Sequence, residues 1–455
     1  MIHQFKNNGY NIVLDVNSGS VYSVDEVAYD VISMFESSSE EEIISEITSR
    51  YGVDEAEVKE CISDVRELRD AGNLFSADTF ADLKPMEKGG DVIKALCLHV
   101  AHTCNLNCTY CFASQGKYHG KEALMSLEVA CRAIDFLIEK SGTRRNLEVD
   151  FFGGEPLMNW DVVKETVAYA RARECETGKN FRFTLTTNGM LIDDEVIEFA
   201  NREMHNVVLS LDGRPEVHDR FRRDYKGVGS YEKIVPRFRR LVDSRGGEGY
   251  YMRGTFTHSN VDFSEDVLHM ADLGFRELSM EPVVCPPGDP YALTEEDLPK
   301  LYEQYDRLAR EMIKKRREGD PITFYHYMID LENGPCIHKR ITGCGSGSEY
   351  MAVTPAGDLY PCHQFVNDPE YRIGNVATGI EKPELCEKFK ACNVYSHPEC
   401  ADCWAKYYCS GGCAANAYHA TGDIGGVYEY GCKLFRHRME CAIMLKVSED
   451  DDTAE

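Results

Sequence analysis

Through the middle of the chain, short runs rich in aromatic, β-branched and leucine residues alternate with longer stretches in which apolar residues recur at helical spacing. The strand-like runs are Leu147 to Phe152, Phe183 to Thr187, Val207 to Leu211, Arg253 to Thr257 and Leu278 to Val283. Residues 126–139, 161–173 and 264–273 read as helices between them. Strand then helix, repeated, predicts a parallel sheet with helices on its outside. With a first strand ahead of residue 104, about six such units fit, so the expected α/β fold is a partial (β/α)6 barrel rather than a closed eight-unit one. Polar residues and glycines follow the strands, where parallel α/β folds gather their ligands.

The N-terminal part, residues 1–78, has another pattern. Residues 4–6, 12–16 and 20–24 read as short strands, with turn chemistry between them at Asn7-Asn8-Gly9 and Asn17-Ser18-Gly19. A short apolar helix at 28–35 and amphipathic helices at 40–51 and 54–71 follow. In the latter two, Ile43, Ile44, Ile47 and Val58, Ile62, Val65, Leu68 share helical faces, and Gly72 ends the last. Residues 79–92 read as a linker, 93–320 as the barrel, and 321–455 as a cysteine-rich C-terminal domain. A charged helix at 295–318 joins the last two.

Composition narrows the function. At 455 residues the chain holds several domains. Its net charge of −27 repels phosphate backbones and argues against a nucleic-acid substrate. No apolar run is long enough to span a membrane, and no basic, apolar, small-residue leader opens the chain. The expected compartment is the cytoplasm.

The candidate chemistry lies in the cysteines. Cys104, Cys108 and Cys111 sit in the run His102-Thr103-Cys104-Asn105-Leu106-Asn107-Cys108-Thr109-Tyr110-Cys111-Phe112. Three thiolates on one short loop suit three irons of a [4Fe–4S] cluster and leave the fourth iron open to a small molecule, whereas an ordinary electron-transfer cluster takes four cysteines. The spacing lacks the paired pattern of structural zinc. Downstream, Phe152-Gly153-Gly154-Glu155-Pro156 follows a strand-like run; its glycines let backbone approach a ligand closely, and Glu155 offers a carboxylate suited to an ammonium group. The segments Phe183 to Gly189, Val207 to Gly213 and His218 to Arg222 come next in order. A generic α/β domain with polar loops is the plainer reading of the strands alone. With the cysteine loop, the whole series resembles the radical S-adenosylmethionine (SAM) enzymes. The resemblance implies that Cys104, Cys108 and Cys111 carry the catalytic cluster. It also implies that Tyr110, Gly153, Gly154, Glu155, Asn188, Ser210, Asp212, Arg222 and Val283 surround SAM, with Glu155 on its amino group.

Seven further cysteines form a second constellation. Cys344 is followed by twelve residues, Gly357, four residues and Cys362; then come Cys400, Cys403, Cys409, Cys413 and, after a gap, Cys432. The pattern resembles the SPASM domain, an extension of some radical SAM enzymes that holds two auxiliary [4Fe–4S] clusters. Disulfides would need an oxidising compartment, and zinc on Cys400, Cys403, Cys409 and Cys413 is the chemically reasonable alternative. The resemblance assigns Cys400, Cys403, Cys409 and Cys432 to an outer cluster, and Cys344, Cys362 and Cys413 to an inner one. No thiol lies between Gly345 and Tyr360, so the inner cluster is expected to have an open iron unless Cys336 completes it.

The N-terminal sheet-and-helix module resembles the winged-helix-like recognition element of enzymes that modify ribosomally made peptides, which binds a leader by strand addition. An accessory packing domain or a DNA-binding winged helix is the other reading of its elements. The full layout resembles the SCIFF maturases, named for their six-cysteine substrate peptide. That resemblance implies thioether bonds from peptide cysteine sulfurs to a carbon of another residue, threonine first. It implies SAM, three [4Fe–4S] clusters, a cysteine-rich precursor bound through its leader, and an electron donor of flavodoxin or ferredoxin type. Carbon–carbon crosslinking, epimerisation and sulfatase maturation are the enzymatic alternatives, and a non-catalytic iron–sulfur carrier or peptide sensor the other.

Overall fold

The structure, a computed structural model, describes residues 1–81, 92–286, 288–332 and 336–454; most of the expected linker, residues 82–91, lies outside them. The strands Ala95–His102, Asn146–Gly153, Asn180–Thr187, Met204–Ser210, Tyr250–Phe256 and Glu277–Pro282 pair in that order, all parallel. This is the expected partial barrel. Leu96, Leu98, Val149, Phe151, Phe183, Leu185, Leu209 and Met252 are buried in the main core with the outer helices. The alternate positions carry Asp150, Thr184, Thr186, Ser210 and Thr255, which are only half-buried. A period of two thus separates an apolar outer face from a polar inner one.

Both edges of the sheet are extended. Thr323–Phe324 pairs parallel with the sixth barrel strand. Tyr350–Val353, from the cysteine-rich region, pairs parallel with Ala95–His102 and antiparallel with Asp358–Tyr360. Barrel and cysteine-rich region therefore share one sheet. A second core of Cys97, Ala113, Tyr118, Ala352, Tyr360 and Phe365 lies across the junction, and Cys111 and Cys362 both pack against it.

The N-terminal strands Ile2–Asn7, Tyr10–Asp15 and Val21–Val24 form an antiparallel sheet in chain order. Three helices, Glu26–Met34, Glu40–Tyr51 and Glu55–Asp70, enclose a core of Val13, Val31, Ile43, Ile47, Val58, Ile62 and Val65. Ser39 and Glu42 form a reciprocal capping box at the second helix, and Gly52 ends it in the left-handed region. The opposite sheet face, Phe5, Ile12, Leu14 and Val16, belongs to the main core. Asn7 Nδ2 donates to Asp306 Oδ1 at 2.7 Å, and His3 Nε2 lies 2.9 Å from Glu440. The module is thus cemented to the catalytic body through its first strand. Glu440 belongs to a long helix, Glu429–Ala454, for which the sequence pattern gave no sign. It touches both the N-terminal sheet and the helix Leu298–Arg317, so its apolar positions do not fall on a single face.

Asp78 ties the end of this module to the cysteine-rich region. It accepts hydrogen bonds from Lys406 Nζ at 2.7 Å, Phe80 N at 2.9 Å, Tyr407 Oη at 3.0 Å and Tyr395 Oη at 3.1 Å. Burial pushes its carboxyl up, but these donors, Lys406 first, outweigh burial and hold it at about 2, below its ordinary 3.8. A carboxylate so lowered contributes stability above its ordinary value, and that contribution is lost only as pH falls through the folded one. Lys406 is 3% exposed, so Asp78→Ala strands a buried ammonium. We expect the variant to lose about 3 kcal/mol in denaturant unfolding, by the same amount at pH 7 and pH 5.

Candidate functional site

The strand Ala95–His102 delivers the first cysteine loop to the C-terminal end of the sheet. Neighbouring turns pin its backbone: Asn107 N donates to Arg223 O at 2.7 Å and Thr109 N to Phe221 O at 3.2 Å. Cys104 Sγ accepts from Leu106 N at 3.4 Å and faces Asn188 Nδ2 at 3.6 Å. Burial pushes the Cys104 and Cys108 thiols up to about 12. A bound metal would draw off those protons, and three thiolates on one loop are the donors that iron–sulfur chemistry would use.

Gly153, Gly154 and Glu155 join the loop to the next strand. Gly154 N donates to Ala101 O at 2.8 Å and Glu155 N to Thr103 O at 3.0 Å. A Cβ on Gly153 would lie 2.4 Å from Ala101 O, and one on Gly154 would lie 2.1 Å from Thr103 O. In the structure these glycines let the strand end at Ala101 and the start of the cysteine loop at Thr103 approach closely. Gly116 completes the contact, its absent Cβ being 2.6 Å from Gly154 Cα. Glu155 is fully buried and accepts from Thr187 Oγ1 and Asn188 N at 2.8 Å each and from Leu157 N at 3.0 Å. Burial outweighs these donors and raises its carboxyl to about 7. Asn188 Nδ2 donates to Asn105 Oδ1 at 2.8 Å, which links Glu155's turn to the cysteine loop.

Tyr110, Asp212 and Arg222 meet behind the loop. Tyr110 Oη donates to Asp212 Oδ2 at 2.6 Å; Arg222 Nε and Nη2 reach the two Asp212 oxygens at 2.9 and 3.1 Å; Thr255 N donates to Oδ1 at 3.0 Å. Both oxygens of the buried Asp212 are therefore engaged within the protein, as a strut that holds Tyr110 and Arg222 beside Cys108. Ser210 ends the fourth strand half-buried, and Val283 closes the sixth, its N donating to Phe256 O at 2.9 Å.

The downstream cysteines fall into two groups. Cys362 lies in the electrostatic field of Cys413 and Cys344, and Cys413 in that of Cys344. Cys400, Cys403, Cys409 and Cys432 act on one another. Among the described residues no three of these thiols lie within 4.8 Å of one another. Cys344 and Cys392 line a small cavity of about 40 Å³ that Cys336 does not line. Cys336 is exposed at the start of the helix Ile337–Thr342.

Aromatic and histidine rings fill the space between the two sites. His99 and His102 lie 3.1 Å apart, nitrogen to nitrogen, and both pack on Tyr118; Phe112 and Phe152 pack on His363, the neighbour of Cys362. Burial lowers His102 and His363 to about 4, so they are neutral packing rings. Gly116, Tyr118 and Thr187 were not singled out from the sequence. The left-handed backbone at Gly116 and Tyr118 belongs to a loop without a repeating pattern.

Comparisons with known proteins agree with this geometry. The profile of the Radical SAM superfamily matches residues 98–259, that of Coenzyme PQQ synthesis protein D (PqqD) residues 11–72, and that of the SPASM iron–sulfur cluster-binding domain residues 344–404. The chain is 23% identical to the radical SAM cyclopropyl synthase TigE of Paramaledivibacter caminithermalis, over 76% of this chain and 73% of that protein. It is 27% identical to the cysteine-type anaerobic sulfatase-maturating enzyme of Clostridium novyi, over 69% of this chain and 85% of that protein. Among solved structures it is similar in fold to native anSMEcpe with bound AdoMet and Cp18Cys peptide, at a TM-score of 0.66 and 21% identity, covering 79% of this chain and 99% of that one. Streptococcus suis SuiB bound to S-adenosylmethionine is similar at a TM-score of 0.52 and 15% identity, covering 93% of this chain and 97% of that one. The chain thus carries a PqqD-type N-terminal region, a radical SAM domain and a SPASM domain, and is an enzyme of the radical SAM/SPASM kind.

The glycine contact yields a direct test. Gly154→Ala drives a methyl into the Thr103 carbonyl and must displace the cysteine loop. We expect the variant to bind roughly four fewer irons per chain and to release no 5′-deoxyadenosine from SAM, as iron assay and chromatography would show.

Proposed function

We propose that this radical SAM/SPASM enzyme joins cysteine sulfurs of a ribosomally made, cysteine-rich precursor peptide to a carbon of another residue, threonine first, as thioethers. Residues 1–78 then bind the leader, 93–320 form the catalytic barrel, and 321–455 carry the auxiliary clusters. The observation that carries the peptide reading is the N-terminal sheet. Its first strand is held on the catalytic body by Asn7 and His3, while among the described residues no strand pairs beyond Val21–Val24. A leader can add there as a fourth strand without disturbing the dock.

The cysteine grouping favours thioether formation over other peptide chemistries. Cys400, Cys403, Cys409 and Cys432 can hold a four-iron cluster fully, whereas Cys344, Cys362 and Cys413 supply three thiolates and leave room for a peptide cysteine. When bound, the first cluster and SAM supply a 5′-deoxyadenosyl radical that removes hydrogen from an unactivated carbon. Cys104, Cys108 and Cys111 hold that cluster with one iron free, and Glu155 receives the SAM ammonium. Asn188 keeps Glu155 and Cys104 in register, and Asp212 holds Tyr110 and Arg222 against the loop. The neutral rings of His99, His102, Tyr118 and Phe152 exclude water between the sites. Each thioether costs the carbon one hydrogen atom, which leaves in 5′-deoxyadenosine, and the sulfur one proton, and the remaining electron would pass to the auxiliary clusters that the downstream cysteines would hold. An external donor of flavodoxin or ferredoxin type starts the cycle, and the cytoplasm supplies the reducing conditions.

The relatives named as a cyclopropyl synthase and as sulfatase-maturating enzymes supply the rival chemistries. Reconstituted enzyme with SAM, dithionite and a cysteine-rich precursor encoded beside its gene separates them. We expect 5′-deoxyadenosine, and peptide lighter by two hydrogens per crosslink with one fewer alkylatable thiol each. The same mass loss with every thiol still alkylatable would assign a carbon–carbon bond. An unchanged mass with an inverted centre would assign epimerisation.

A further inference from the structure

Near their C-terminal ends the fifth and sixth barrel strands place charge on the inner face, at Arg253 and Glu281, where the neighbouring strands carry Thr186 and Ser210. Arg253 lies one strand from Ser210, with which it is in register, and its carbonyl accepts from Leu211 N at 3.0 Å. Its side chain is 50% exposed, and its one polar partner among the described residues is Glu281, at 3.6 Å. That separation is too long for a hydrogen bond, so the five guanidinium donors are uncommitted. Arg253 therefore stands beside the Ser210 turn, one strand away on the same sheet.

A chain of polar groups fixes Glu281 from behind. Arg438 Nη1 lies 3.2 Å from His326 Nδ1. A guanidinium only donates, so Nδ1 accepts and the imidazole proton is on Nε2. Nε2 faces Glu281 Oε1 and Ser279 Oγ, each at 3.4 Å. Burial holds His326 neutral, so it orients the Glu281 carboxylate without neutralising it. An ion pair as open and long as Arg253–Glu281 contributes little to stability, so folding alone does not account for an arginine inside the barrel.

We infer that Arg253 is a substrate anchor: its guanidinium takes the carbonyl or carboxylate oxygens of the peptide segment being modified, and Glu281, His326 and Arg438 set its position. The inference rests on the peptide-modifying reading and adds the residue that places the reacting segment, separate from the leader site on the N-terminal sheet.

The test compares wild type, Arg253→Lys and Arg253→Met as reconstituted full-length enzymes. The probe is the full precursor that wild type modifies. Precursor affinity and iron content are expected to stay at wild-type values, because leader and clusters bind elsewhere. Crosslinks formed per 5′-deoxyadenosine are expected to fall roughly tenfold or more in Arg253→Met, the scale of one charge-assisted hydrogen bond. Arg253→Lys should recover part of that loss by keeping charge without the fork, and His326→Gln should show a smaller loss than Arg253→Met. An unaltered crosslink ratio in Arg253→Met overturns the anchor. So does a loss of iron in step with product, which would make Arg253 part of the fold. A wild-type enzyme that modifies no such peptide refutes the functional reading itself, and the anchor with it.

Discussion

One buried carboxylate organises the candidate active site. Glu155 has no exposure, yet three donors from two turns converge on it. Taking a carboxylate out of water costs several kcal/mol, and these donors do not fully offset the cost, since the carboxyl rises from its ordinary 4.5 to about 7. That rise leaves roughly 3 kcal/mol of charge uncompensated. A cation placed beside Glu155 would supply it. The ammonium of an amino acid is such a cation, and the Cys104 loop lies one hydrogen-bonded residue away, through Asn188. The surroundings of Glu155 are therefore electrostatically incomplete in the sense that an ammonium group would correct.

The rest of the fold keeps that arrangement rigid. Glycines at 116, 153 and 154 let two backbones pass where any side chain would collide. Asp212 ties Tyr110 of the cysteine loop to Arg222 of the fourth βα turn. The strand Tyr350–Val353 extends the barrel sheet itself, so the inner cysteine group is positioned by the same hydrogen-bond ladder as the first one. The N-terminal sheet shares the main core through Phe5, Ile12 and Leu14. The PqqD-type sheet, the radical SAM barrel and the downstream thiols thus sit on one continuous body, which suits the proposed joining of two distant residues of a flexible peptide.

Much of this was legible in the sequence because it is local. Cysteine spacings, turn glycines and strand–helix alternation need no knowledge of the fold, and the alternation indicated the parallel α/β barrel that the structure shows. What depends on distant neighbours was not legible. The helix Glu429–Ala454 packs on several partners, so its pattern shows no single apolar face. The glycines at 153 and 154 announced a close approach but not that Thr103 would be the approaching group. The ion pair between Asp212 and Arg222, to which Tyr110 of the cysteine loop bonds, needed the fold to bring the groups together. Arg253 and Glu281 stood in plain view as charges in strands, yet their significance needed His326 and Arg438, one from beyond the sheet and the other from the C-terminal helix.

The central claim is that the loop carrying Cys104, Cys108 and Cys111 holds a cluster that SAM reaches directly, distinct from the clusters of the downstream thiols. Electron paramagnetic resonance of the dithionite-reduced, reconstituted enzyme tests it most directly, with and without SAM, in wild type and in the variant with all three cysteines changed to alanine. The account predicts that SAM alters one iron–sulfur signal in the wild type, and that this signal alone is missing from the variant while the others persist. A SAM-sensitive signal that survives in the variant would contradict it.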